Sequence, residues 1–137
     1  MIRLVLFDID GTLVLTGGAG TKAFAKVSET VFELPEGTRE LDFAGRTDRS
    51  LVREFFLRHR IPPTEENFAR FFDTYVFWLD HLLGLSQGQV LPGVEALLNN
   101  LRALPEPPVI GLLTGNIRLG AHLKLAHYGL WRHFTMG

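Results

Sequence analysis

Two short apolar runs frame the chain. Residues 2–7 are apolar apart from Arg3 and rich in branched side chains, and residues 109–113 repeat that character after the Pro105-Glu106-Pro107-Pro108 break. A continuous apolar run bounded by turn residues is the pattern of a buried, parallel strand. Between the two runs the hydrophobic period lengthens to that of helices. Residues 21–32 carry Phe24, Val27, Val31 and Phe32 at helical spacing, and residues 48–58 carry Leu51, Val52, Phe55 and Phe56 behind Thr47, a candidate N-cap. Residues 65–83 carry Phe68, Phe71, Phe72, Tyr75, Val76, Leu79, Leu82 and Leu83 after Pro62-Pro63-Thr64. Stripes of this kind bury one face each and are expected to pack on one another as core. The pattern predicts a helical insertion over roughly residues 15–90.

Strand-helix alternation resumes at Leu91-Pro92-Gly93. Val94, Leu97, Leu98 and Leu101 predict a short helix, the second apolar run follows, and residues 117–128 read as a further helix. In that last helix Leu119, Leu123 and Leu125 or Ala126 are expected to point inward, and Gly129 is the candidate C-cap. Residues 1–14 and 91–137 therefore form a partial α/β core interrupted by the insertion. Two parallel strands expose much edge and apolar face, and a third would have to begin at or beyond the last residues. The sheet is expected to be incomplete. Three readings follow: the front part of a larger domain, a protein that completes its sheet by self-association, or a compact helical protein with a minimal sheet.

Composition narrows the function classes. Of 137 residues, 46% are hydrophobic, including eleven phenylalanines, which suffices for a core; a formal net charge of -1 offers no basic stripe for nucleic acid. The absence of cysteine excludes disulfides and thiolate chemistry and is compatible with the cytoplasm. No apolar run approaches the roughly 20 residues a membrane span needs, and Asp8 and Asp10 interrupt the N-terminal run, so neither a membrane span nor a secretory leader is expected.

Chemistry gathers where the two strands end. Leu4-Val5-Leu6-Phe7 leads into Asp8-Ile9-Asp10-Gly11-Thr12-Leu13, and ligands of open α/β sheets bind beyond the carboxyl ends of strands. Two carboxylates with a backbone carbonyl suit a hard cation such as Mg2+. Beside such a cation an aspartate can attack phosphorus, while a second carboxylate protonates the leaving oxygen and later activates water. The second run ends in Thr114-Gly115-Asn116 before a helix, a hydroxyl and amides able to hold phosphate oxygens; the plainer alternative is that Asn116 caps the helix and Gly115 makes the turn. In the insertion, Gly45-Arg46-Thr47-Asp48 offers Arg46 to a substrate anion, with a solvated loop arginine as the alternative. The five histidines are scattered and give no zinc pattern. Lys22, Lys26 and Lys124 read as helix-surface residues, Lys124 being near enough to the candidate phosphate loop to contribute to its field.

On these motifs the chain resembles the haloacid dehalogenase-like (HAD) hydrolase superfamily, in its phosphoglycolate-phosphatase-like branch with a helical cap. The resemblance implies a Rossmann-like core, Asp8 as nucleophile, Asp10 as general acid/base, Thr114 with Gly115 and Asn116 at the phosphate, and Mg2+ held by Asp8 and the Asp10 carbonyl. Gly45-Arg46-Thr47-Asp48 is similar to the loop that closes over substrate in that branch. A small phosphorylated metabolite is the implied substrate. Such enzymes add a lysine and further metal-binding acids downstream of the region equivalent to Trp131-Arg132-His133-Phe134. The chain ends there, so weak or absent turnover is expected of it alone. Two other functions remain open, a non-catalytic phosphate- or protein-binding module and a phosphomutase or phosphonate hydrolase of the same superfamily.

Overall fold

The computed structural model describes residues 1–134. Strand β1 (Leu4–Phe7) and the two-residue β2 (Val14–Leu15) come first, followed by helices α1 (Ala19–Thr30), α2 (Asp48–Arg58) and α3 (Glu65–Leu85). A second two-residue strand, β3 (Gln89–Val90), precedes α4 (Val94–Arg102), β4 (Val109–Leu112), α5 (Arg118–His127) and a 3-10 turn at Trp131–Phe134. This is an α/β core with an inserted helical region and an open, incomplete sheet. β1 and β4 pair in parallel, Leu4 facing Val109 and Phe7 facing Leu112.

Two apolar clusters form. One gathers Phe24, Phe55, Phe56, Phe71, Tyr75 and Leu79 from α1, α2 and α3, where edge-on rings such as Phe24–Phe71 at 5.0 Å fill the space between helices. The helical stripes thus pack on one another as their spacing predicts. The other cluster gathers Ile9, Leu13, Val94, Leu98, Ile110, Leu125, Leu130 and Phe134 beneath one face of the sheet. Local signals set the helix ends. Thr47 and Thr64 accept the backbone N–H of Ser50 and Asn67, capping α2 and α3. Gly129, at φ +72°, ends α5: its N–H bonds Ala126 O at 3.1 Å and that of Leu130 bonds Leu125 O at 2.8 Å, the paired closure of a Schellman motif.

Several expectations are corrected. Among the described residues β1 and β4 are covered on one side only, because α4, α5 and the 3-10 turn share a single cluster; the other face leaves Leu4 54% and Val109 50% exposed. The apolar run marked a strand but not two-sided burial. A short antiparallel ribbon, β2 with β3, escaped the pattern, since two residues are too few to show a period. Leu97 in α4 and Leu119 in α5 face outward. The inward face of α5 is Gly120, Ala121, Lys124 and Leu125, which rotates Leu119 away. A third strand beginning in the last three residues lies outside the described residues.

Candidate active site

The turn after β1 is tied by one carbonyl. Ile9 O accepts the N–H groups of Thr12, Leu13 and Val14, at 3.1, 2.9 and 3.3 Å, while Gly11 takes φ +78°. Ile9 and Leu13 are thereby sunk into the core, and the flanking Asp8 and Asp10 are left in solvent. Asp8 holds its carboxylate back against its own strand end, Oδ1 accepting the Ile9 N–H at 2.8 Å.

Parallel pairing brings the end of β4 alongside. The Thr114 hydroxyl oxygen accepts the Asn116 backbone N–H at 3.1 Å and its side-chain amide at 2.8 Å, so its own O–H proton stays available to a ligand. The Asn116 amide also donates to Asp10 Oδ2 at 2.9 Å. Asn116 therefore does not cap α5. That place is taken by Asp48, whose Oδ2 accepts the Ile117 N–H at 2.9 Å. The Asp48 N–H in turn donates to Gly115 O at 2.8 Å. Gly115 is required here, since a β-carbon on it would stand 2.7 Å from Arg46 O and 3.0 Å from the Thr47 α-carbon. The 45–48 loop thus lies directly on the Thr114-Gly115-Asn116 turn.

The residue that sequence reasoning misplaced is Lys124. It is not a surface lysine: its side chain is 6% exposed, and Nζ lies 3.0 Å from each oxygen of Asp10 and 2.6 Å from Asn116 Oδ1. An ammonium is withdrawn from water at this depth only when its donors are satisfied. Asp10 and Asn116 supply that, and Asn116 relays the network to Thr114. The signal was available in the helical period, because Ile117, Gly120, Ala121, Lys124, Leu125 and Tyr128 share one face.

Two further groups come from the insertion. Burial pushes the Asp48 carboxyl up; the Ile117 N–H and Lys124 oppose the rise, and Asp10 adds to it. Tyr75 is raised well above its ordinary value, by burial first and then by the charges of Asp48 and Asp10. Arg46 lines the same cleft but is turned along α2, with Nε and Nη2 on Ser50 Oγ at 3.1 and 2.8 Å and Nη1 3.5 Å from Glu54. It does not reach the carboxylates.

These side chains surround a cleft of about 830 Å³, walled on the insertion side by Phe24, Phe43, Leu51 and Tyr75. That size suits a small-molecule ligand. Among the described residues no group of three or more acidic, histidine or cysteine side chains converges as a metal cage, and Asp10's carboxylate is engaged by Lys124. The donors that fit a hard cation are the Asp8 carboxylate and the Asp10 carbonyl, with the rest of a coordination shell still to be filled. No helix among the described residues is long and apolar enough to cross a membrane.

The fold has many likenesses. A predicted phosphoglycolate phosphatase from Haemophilus somnus aligns at 20% identity and TM-score 0.65, covering 98% of this chain and 60% of its own. CbbY from Rhodobacter sphaeroides, in complex with phosphate, aligns at 19% and 0.74, covering 98% and 61%. A predicted phosphatase from Clostridium acetobutylicum aligns at 22% and 0.64, covering 98% and 59%. The chain thus spans about three fifths of the length of these structures. At such identities they speak for the fold alone. Among curated proteins none matches the chain. Residues 2–136 match the family model described as haloacid dehalogenase-like hydrolase, and with that match over nearly its whole length the chain belongs to the haloacid dehalogenase-like hydrolases.

Proposed function

We propose that the chain carries part of the active site of a Mg2+-dependent phosphomonoester hydrolase working through an aspartyl-phosphate on Asp8, in the phosphoglycolate-phosphatase-like branch. The observation that carries the reading is the Asp10–Lys124–Asn116–Thr114 network across the ends of two parallel strands, with the Asp8 carboxylate at the end of the first of them. Asp8 attacks phosphorus, the ester P–O bond breaks, and Asp10, entering the step protonated, gives that proton to the leaving oxygen and becomes the carboxylate that Lys124 and Asn116 hold. In the second step Asp10 takes a proton from water, whose oxygen attacks phosphorus and displaces Asp8. The Thr114 O–H and the Gly115 backbone N–H hold the phosphoryl oxygens, Asn116 orients Thr114 and Asp10 through its own amides, and Lys124 keeps Asp10 in register while adding positive charge to the anion site. Mg2+, held by Asp8 and the Asp10 carbonyl, would offset the repulsion between two anions.

In this reading residues 15–90 act as a cap on the 1–14 and 91–137 core. The loop carrying Arg46 closes over a small phosphorylated metabolite, and Arg46 exchanges Ser50 and Glu54 for a substrate anion. A cytoplasmic setting and weak turnover by the chain alone belong to the same proposal. The test is Mg2+-dependent hydrolysis of an aryl phosphate by the purified chain, with Asp8→Asn as control. Turnover that survives Asp8→Asn sinks the nucleophile assignment. A folded chain that binds phosphate without turnover favours the non-catalytic module.

A further inference from the structure

One residue in the phenylalanine-rich stripe of α3 carries a polar group to the cleft. Tyr75 is 1% exposed as a whole, yet it lines the cleft beside Lys124 rather than being sealed in apolar core. A phenol hydroxyl on a cleft wall can donate to a ligand oxygen placed against it. Its surroundings fix where that atom would sit. A β-carbon built on Gly20, in the first turn of α1, would lie 3.5 Å from Lys124 Nζ and 3.7 Å from the Tyr75 hydroxyl. Gly20 therefore leaves open a gap shared by an ammonium and a phenol. On the opposite flank Gly120 makes room for the ring, a β-carbon there standing 3.5 Å from Tyr75 Cε2. Edge-on contact with Phe24 at 5.0 Å holds the ring in place.

We infer that Tyr75 is a specificity-determining residue whose hydroxyl donates to an acceptor oxygen on the leaving group of the substrate, in the gap left by Gly20. The inference rests on the phosphomonoester reading above and deepens it. Lys124 bonds both oxygens of Asp10, so an ester oxygen within reach of Asp10 brings the next atoms of the leaving group beside Lys124, and hence beside the gap. The substrate class is an alkyl phosphate with a hydroxyl, carbonyl or carboxylate oxygen a carbon or two from the ester. Burial and the charges of Asp48 and Asp10 keep the phenol in its donor form. The ammonium and the phenol together favour an oxygen that carries negative charge or a strong dipole.

The test compares two esters that differ by one oxygen, ethyl phosphate and 2-hydroxyethyl phosphate, titrated calorimetrically with Mg2+ into the wild-type chain, Tyr75→Phe and Gly20→Ala. Wild type should prefer 2-hydroxyethyl phosphate. In Tyr75→Phe that preference should fall about tenfold, the factor that one hydrogen bond carries. Gly20→Ala should lose it as well, with the thermal midpoint held or raised, because the methyl group meets no backbone and alanine favours a helix over glycine. A preference unchanged in Tyr75→Phe or in Gly20→Ala overturns the inference, as does failure of both esters to bind wild type. Hydrolysis of the same esters is followed in parallel. Loss of preference without turnover leaves the phenol's role standing and favours the non-catalytic module over the hydrolase reading; turnover with an unaltered preference does the reverse.

Discussion

Lys124→Met separates the chemistry of the network from its contribution to folding. The substitution keeps the length and most of the volume of the side chain and deletes a charge that meets three acceptor atoms at 3.0, 3.0 and 2.6 Å. Removing one partner of a fully buried ion pair costs about 3–5 kcal/mol, because the remaining charge is stranded. Here the remaining charge is not stranded. The Asp10 side chain is 50% exposed and keeps the Asn116 amide at 2.9 Å, so it can rehydrate. Deleting the ammonium also removes its own desolvation cost. The two effects oppose one another, and the net change in unfolding free energy is expected to be about 1 kcal/mol or less. Turnover should respond far more, since loss of a preorganised electrostatic group at such a site costs about 10²- to 10³-fold. The assay pairs urea unfolding with Mg2+-dependent hydrolysis of an aryl phosphate. Turnover within about threefold of wild type in a folded variant would refute the catalytic placement. A loss of roughly 4 kcal/mol in stability would instead mark Lys124 as a structural ion pair.

Three other outcomes are expected. Asp48 sits above its ordinary 3.8 in the folded chain, so the protonated acid folds more favourably than the carboxylate, and its contribution is fully present below 3.8 and lost as pH rises through the raised value. Asp48→Asn keeps an acceptor for Ile117 and should be more stable than wild type near pH 7 by urea unfolding, the gap closing as pH falls; a gap that widens in acid contradicts the burial argument. Gly115→Ala forces a methyl group to 2.7 Å from Arg46 O, so the 45–48 loop should lift, with a cost of about 1–3 kcal/mol and lost hydrogen-exchange protection at the Asp48 amide. The open sheet face bearing Leu4, Leu6 and Val109 should drive self-association, reduced in Leu6→Lys; sedimentation showing a monomer over a broad concentration range for the wild-type chain would remove that reading.

Much of the fold was legible because period and punctuation agreed. The stripes of α1, α2 and α3, the caps Thr47 and Thr64 and the Gly129 terminator are local signals, and local signals survive into the structure. What stayed hidden depends on rotation or on partners far along the chain. Leu119 was read inward by hydrophobicity, although the face chosen by packing runs through two small residues and a lysine. Lys124 looked like surface because its acceptors, Asp10 and Asn116, are set beside it only by the pairing of β1 with β4. Asp48 stands in the first turn of α2, and only the docking of its loop on Gly115 brings it to the start of a second helix. The strand-end motifs were visible from the outset, and the bonds that join them were not.

The parallel pairing of β1 with β4 also dictates the order in which the molecule can assemble. Asp10 meets Asn116 and Lys124 across 106 and 114 residues of chain, so the whole helical insertion lies inside the loop that these contacts close. The insertion is built from contacts among nearby helices and can collapse early, whereas the strand pair must first meet the entropy of closing that long loop. A compact insertion shortens the effective loop and lowers that barrier. During synthesis the aromatic cluster of α1, α2 and α3 can therefore form while β4 is still unmade, and the Asp10–Asn116–Lys124 network appears only in the final closure. Substitutions within the aromatic cluster should slow the appearance of the site by delaying the step that brings its two halves into reach.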